Sequence, residues 1–158
     1  MYKCKYFGIK ELVSKIVYQK FGDFAWSFFD EDILKDLDTI REGWEAYLKV
    51  KHNNEKAGIF INNWAAGGSL SQCGLRSNAD PMVKAKTTPY CSGHCLAKAF
   101  DLHPVNGRYK EFYEFVCNFI KQGKTKKIKR VENFKSTPTW CHIDGFQTSN
   151  NQLETFVI

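Results

Sequence analysis

The chain has 158 residues, 43% hydrophobic and 15% aromatic, enough apolar mass for one buried core and too much for a disordered polymer. A net charge of +6 favours an anionic partner such as nucleic acid, a membrane surface or the bacterial wall, without choosing among them. No apolar run approaches the roughly 18 residues of a membrane helix, and the N-terminal MYKCKYFGIK lacks an apolar signal core, so cytoplasmic synthesis without a signal peptide is expected and stable membrane insertion is not.

Ile9, Leu12, Val13, Ile16 and Val17 recur at helical spacing and predict an amphipathic helix over Ile9 to Gln19. Gly22 and Asp23 interrupt the pattern. Ile33, Leu34, Leu37, Ile40 and Trp44 predict a second, longer helix, with Asp30 placed to cap its start and the polar stretch Lys51 to Lys56 beyond its end. The segment AGIFIN, Ala57 to Asn62, is short and β-rich and reads as a buried strand. From Asn63 to Tyr90 the chain loses periodicity and gains Gly, Ser, Asn and Pro, and so long a loop is rare in a compact domain without a functional use. Helical spacing returns over Lys110 to Ile120 through Phe112, Phe115, Val116 and Phe119. IKRVENF and TWCHIDGF then read as two short strands separated by Lys135 to Pro138, and NQLETFVI as an edge strand. These elements predict an α+β domain, helices first and then a small, mainly antiparallel sheet. A single domain is expected over 1–158, with a helical part at about 1–50 and a core at about 57–146.

Cys4, Cys73, Cys91, Cys95, Cys117 and Cys141 are scattered through a chain with no export signal, and free thiols are expected rather than a disulfide framework. Cys91, Cys95 and Cys141 could supply three ligands of a structural zinc, but no fourth is apparent. Much of the positive charge is concentrated in Lys121, Lys124, Lys126, Lys127, Lys129 and Arg130. A solvated surface is the plain reading. Without a recognition helix or an aromatic-interleaved motif, no nucleic-acid partner is expected.

The chemistry concentrates elsewhere. His94 and Asp101 lie in Ser92-Gly93-His94-Cys95-Leu96-Ala97-Lys98-Ala99-Phe100-Asp101, and His142 lies in Thr139-Trp140-Cys141-His142-Ile143-Asp144, where strand alternation puts His142 and Asp144 on one face. Two imidazoles and a carboxylate leave a fourth tetrahedral position open, the arrangement of a catalytic zinc rather than a structural one. Water in that position is acidified towards neutral pH while the ion polarises a carbonyl, which suits amide hydrolysis.

The first segment resembles the S-x-H-x-x-G-x-A-x-D signature of the zinc D-alanyl-D-alanine carboxypeptidases, their endopeptidase relatives in phage lysins and the hedgehog domains. The second is similar to the W-x-H-x-D strand that brings this family its third ligand. Asn62-Asn63-Trp64, Gly67-Gly68 and Gln72-Cys73-Gly74-Leu75-Arg76 resemble the strand and Arg-bearing loop ahead of the signature, so the likeness spans Ile59 to Asp144. The resemblance implies a hedgehog-like fold and one zinc ion held by His94, Asp101 and His142. It gives Arg76 the substrate carbonyl or oxyanion to bind, Ser92 a place supporting the first ligand loop or touching substrate, and Trp140 a place packed beneath the site. It further implies a monomeric metallopeptidase cutting stem or cross-bridge peptides of peptidoglycan, reaching the wall by holin-type release as an endolysin does, with endopeptidase and carboxypeptidase action left open.

Two departures matter. Ala97 stands in place of the family's Gly, which ordinary backbone angles would tolerate. Thr139 stands where many members carry an acidic general base, and a threonine cannot take a proton from metal-bound water near neutral pH. Asp144, on the strand face of His142, and Glu132, brought across by antiparallel pairing, are the replacements, with Asp144 preferred. If neither serves, the alternative is a zinc-containing module that binds a peptide or partner without cutting it. His103 is read as the end of a strand and His52 as a loop residue, neither as a ligand.

Overall fold

The apolar pattern at the N-terminus folds as two helices rather than one. In the computed structural model, which describes residues 1–53 and 55–157, α1 spans Ile9–Leu12 and α2 spans Lys15–Phe21. Between them Val13 is extended (φ −128°, ψ 156°), and the Ser14 hydroxyl caps α2 by accepting the Val17 N–H at 3.2 Å. The break has a tertiary cause. Val13 pairs with Leu75 in a parallel bridge, Ser14 N–H donating to the Leu75 carbonyl (2.9 Å) and Leu75 N–H to that of Leu12 (2.8 Å).

A 3-10 turn, Gly22–Phe28, leads into α3, Glu31–Lys51, capped as expected by Asp30, which accepts the Asp32 N–H at 2.8 Å. His52 closes α3 as its C-cap, rather than sitting in a loop, and its Nε2 lies 2.7 Å from Glu111 on the helix Tyr109–Lys121. That helix is α5; the shorter α4, Pro81–Lys84, belongs to the long loop. Asn54, in the polar stretch after α3, and Ile158, the last residue of the expected edge strand, lie outside the described residues.

The strands are β1 (Ile59–Phe60), β2 (Ala99–Pro104), β3 (Arg130–Glu132), β4 (Cys141–Asp144) and β5 (Glu154–Phe156), in the order β1-β2-β4-β3-β5. All pairings are antiparallel except β3 with β5, which is parallel. The result is a mixed α+β fold with one small five-stranded sheet. Strand alternation divides the sheet's residues by chemistry. Phe100, Leu102, Val131, Cys141 and Ile143 point one way and join Leu34, Leu37, Ile40 and Trp44 of α3 and Phe112, Val116 and Ile120 of α5 in a single core. Trp44 meets the Phe112 ring edge-on at 5.1 Å, and Phe29 stacks on Phe100 at 5.8 Å. Asp101, His103, Arg130, Glu132, His142 and Asp144 fall on the other face.

Lys121, Lys124, Lys126 and Lys127 of the basic cluster are exposed, as a solvated surface would have them, but the segment Lys126 to Ile128 is tied to α3. Asp36, 4% exposed in an otherwise apolar helix face, accepts the backbone N–H groups of Lys126 (2.8 Å), Lys127 (2.6 Å) and Ile128 (2.8 Å). Asp32 and Asp30 pair with the Lys126 and Lys127 ammoniums, at 2.5 and 3.4 Å. No described helix is long and apolar enough to cross a membrane. Replacing Asp36 with Ala removes the acceptor of three backbone N–H groups, one buried and two half-buried, so we expect a loss of about 3 kcal/mol, read as a lower urea midpoint with an unchanged slope.

Candidate metal centre

The first ligand comes from a loop, the other two from the sheet. His94 lies in a 3-10 turn, Gly93–Leu96, directly ahead of β2. Its Nδ1 is 2.9 Å from the Gly74 carbonyl, so the ring carries its proton there and turns the Nε2 lone pair inward. Gly74 is required at this point because a Cβ would lie 2.1 Å from the Leu12 carbonyl oxygen. Asp101 on β2 is directly opposite His142 on β4 in the antiparallel register. Its Oδ1 is 2.7 Å from His142 Nδ1, and its Oδ2 is 3.4 Å from His94 Nε2.

All three side chains are buried, and their donor atoms lie within 4.8 Å of one another, so the group can hold a metal ion. Ligand atoms about 2.0–2.1 Å from a tetrahedral ion stand about 3.3 Å apart; the 3.4 Å between Asp101 Oδ2 and His94 Nε2 matches that edge, whereas the 2.7 Å between Asp101 Oδ1 and His142 Nδ1 is a direct hydrogen bond that an ion would open. Among the described residues this is the one group of three His, Cys, Asp or Glu side chains with that property. Cys91, Cys95 and Cys141 do not gather: Cys141 is buried on the core face, Cys91 is exposed, and all six cysteines are free thiols.

Burial alone would raise the Asp101 pKa, but the hydrogen bonds and charges of His142 and His94 outweigh it and hold the carboxyl below the usual carboxylate range. Arg76, only 7% exposed, also contacts this carboxyl: its Nη2 is 3.4 Å from Asp101 Oδ2, and its Nε donates to the Gln72 carbonyl. Expected to meet substrate, Arg76 is in this state bound to Asp101, although it also lines the cleft above the triad.

That cleft encloses about 490 Å3 and is walled by Ser92, Glu132, Trp140, Asp144, Phe146 and Phe156 beside the triad. Trp140, expected beneath the site, is part of its wall. Both candidate carboxylates reach the cleft, by different routes. Asp144 Oδ2 lies 3.9 Å from Nε2 of His142, the nitrogen away from Asp101, and Oδ1 accepts the Phe146 N–H at 3.0 Å. Burial pushes its pKa up, partly offset by that N–H and by Arg130. The pairings Arg130 with Asp144 and Val131 with Ile143 carry Glu132 level with His142 on the neighbouring strand. Thr139 sits in an exposed turn outside the cleft lining.

Two sequence readings need correction. The condition under which Ala97 would replace the signature's Gly at no cost, ordinary backbone angles, is not met: it ends the His94 turn in the left-handed region (φ 55°, ψ 30°), where a Gly would be unstrained. His103 does not end the strand: it pairs with Phe60 inside β2, stacks on that ring at 5.3 Å, and sets Nε2 3.7 Å from Cys73 Sγ. Gly74, the partner of His94, carries no signal of that role in the sequence beyond its place just ahead of Leu75-Arg76.

Comparison with known protein families, with curated proteins and with solved structures returns no match for this chain.

Two outcomes follow. Ala97→Gly, despite losing a buried methyl, should stay within about 1 kcal/mol of wild type in urea unfolding, whereas Ala97→Val, β-branched in a left-handed conformation, should lose about 2 kcal/mol or more. A depressed carboxyl pKa stabilises the fold above the unfolded value of about 3.9, and the contribution disappears as pH falls below it. Urea midpoints of the metal-free wild type should therefore drop steeply below about pH 4, while Asp101→Asn, already weaker at neutral pH, shows a flatter acid limb.

Proposed function

We propose that the chain is a zinc-dependent peptidase of the D-alanyl-D-alanine carboxypeptidase and hedgehog-like type, acting on the stem or cross-bridge peptides of bacterial peptidoglycan. The observation that carries this reading is the buried His94–Asp101–His142 group at the floor of a cleft that also holds two further carboxylates. Two imidazoles and one carboxylate are the donor set of a catalytic zinc with an open position. Bound there, the ion lowers the pKa of water and polarises a carbonyl.

The chain's own residues do the rest. Gly74 fixes the His94 tautomer, and Arg76 steadies Asp101. Asp144 faces the outer nitrogen of His142, the place from which a carboxylate orients a ligand ring. With Asp144 assigned to the His142 ring, Glu132, level with His142 and lining the cleft, is the carboxylate we assign to take the proton of the attacking water and return it to the amine as the C–N bond breaks. This reverses the preference for Asp144 drawn from sequence alone. Trp140, Phe146 and Phe156 shield the reacting groups from bulk water. Action at the wall after holin-type release, as a monomer, belongs to the same proposal.

The test is metal content per chain together with amine release from purified peptidoglycan. Wild type should carry one zinc and release amines, and His142→Ala should lose both. Glu132→Gln should keep zinc and lose activity about 100-fold or more. Zinc without amine release would instead favour a peptide-binding module, the reading that Thr139 supports, and absence of zinc would overturn the metal assignment.

A further inference from the structure

Beyond Asp101 the cleft continues into a smaller recess of about 280 Å3, lined by Cys73, Met82, Asp101, His103 and Trp140. Met82, Asp101, Trp140 and Arg76 also line the larger cleft, so the two spaces adjoin. The recess holds soft donors for which the zinc triad has no use. Cys73 Sγ and His103 Nε2 are 3.7 Å apart. In the metal-free protein that spacing serves a thiol–imidazole hydrogen bond. It is also the edge of a metal chelate: bonds of about 2.3 Å to sulfur and 2.0–2.1 Å to nitrogen, opened at trigonal to tetrahedral angles, set the two atoms about 3.6–3.8 Å apart.

Both donors are pre-oriented. His103 is 8% exposed, its ring is stacked on Phe60, and a hydrogen bond to the Thr139 backbone engages the ring, leaving Nε2 towards Cys73. Cys73 is anchored through its backbone, its N–H donating to Asn62 Oδ1 at 2.8 Å and its carbonyl accepting the Asp101 N–H at 2.9 Å. Met82, half exposed in the first turn of α4, brings an unbranched thioether to the same wall.

We propose that Cys73 and His103, completed by Met82, form a second metal site that takes a soft monovalent ion, copper(I), beside the zinc triad. Thiolate and thioether are soft ligands that suit copper(I), imidazole also binds copper, and one thiolate cancels the charge of one such ion, so the half-buried recess gains no net charge. A divalent ion there would leave an unbalanced positive charge and lack a hard ligand, since Asp101 is committed to His94 and His142. The site does not depend on the chain being a peptidase.

The test uses the zinc-loaded chain with Cys4, Cys91 and Cys95 changed to Ser, which removes the other accessible thiols. Copper(I) is titrated without oxygen against the chromogenic chelator bicinchoninate, and zinc is measured in parallel. One copper per chain is expected, with zinc retained and X-ray absorption showing one nitrogen and two sulfur neighbours. Cys73→Ser and His103→Gln should each weaken copper binding at least 100-fold, and Met82→Leu, at a half-exposed position that cannot unfold the chain, about tenfold. Copper binding unchanged in Cys73→Ser, no copper held against the chelator, or zinc released one for one would overturn the site, and an unchanged Met82→Leu would remove Met82 from it.

Discussion

The pairing of Asp101 with His142 across β2 and β4 is the constraint on which the rest of the molecule turns. One hydrogen-bond register sets the two ligands opposite each other and, because side chains alternate, sends Phe100, Leu102, Cys141 and Ile143 to the core. A slip of a single residue would move the acid and imidazole into the helical layer and expose the apolar set. Burial of α3 and α5 against the sheet and assembly of the site are thus one event. The packed core stabilises a register that no isolated pair of buried polar groups could hold alone.

The third ligand is fastened differently. His94 depends on a chain of backbone contacts running from Leu12 through Leu75 and Gly74 to its own ring. Asn62 reinforces it, its amide donating to the Glu11 and Val13 carbonyls while its Oδ1 accepts from Cys73. The long stretch from Asn63 to Tyr90, poor in periodic structure, is organised by these polar contacts instead of by a hydrophobic stripe. Asp80 does the same further along, accepting from Ser14, from the Ser77 N–H and from the Ser77 hydroxyl at 2.6–2.9 Å.

These differences explain what the sequence disclosed. α3 and α5 were legible because apolar periodicity and the Asp30 cap state local preferences that the fold keeps. His94, Asp101 and His142 stood out in the sequence because two short motifs carry them, and the β2–β4 register and the turn ahead of β2 bring them together. The split at Val13 and Ser14 was hidden because its cause, a bridge to Leu75, is distant in sequence. Asp36 looked like an ordinary polar position on a helix, and only the three N–H groups of the Lys126 segment show why it is buried. The left-handed turn at Ala97 was concealed by the residue itself, since alanine advertises no such conformation.

The loop anchorage of His94 also has a thermodynamic side. Because the imidazole is positioned by Gly74, and Gly74 is seated against Leu12, the free energy of docking the N-terminal helices is linked to the geometry of the His94–Asp101–His142 group, though those helices contribute no side chain to it. Linkage of this kind runs in both directions: any ion that bound only the closed arrangement would stabilise the N-terminal segment, and whatever loosened that segment would weaken such an ion. The helical part and the His–Asp–His group are coupled halves of one equilibrium.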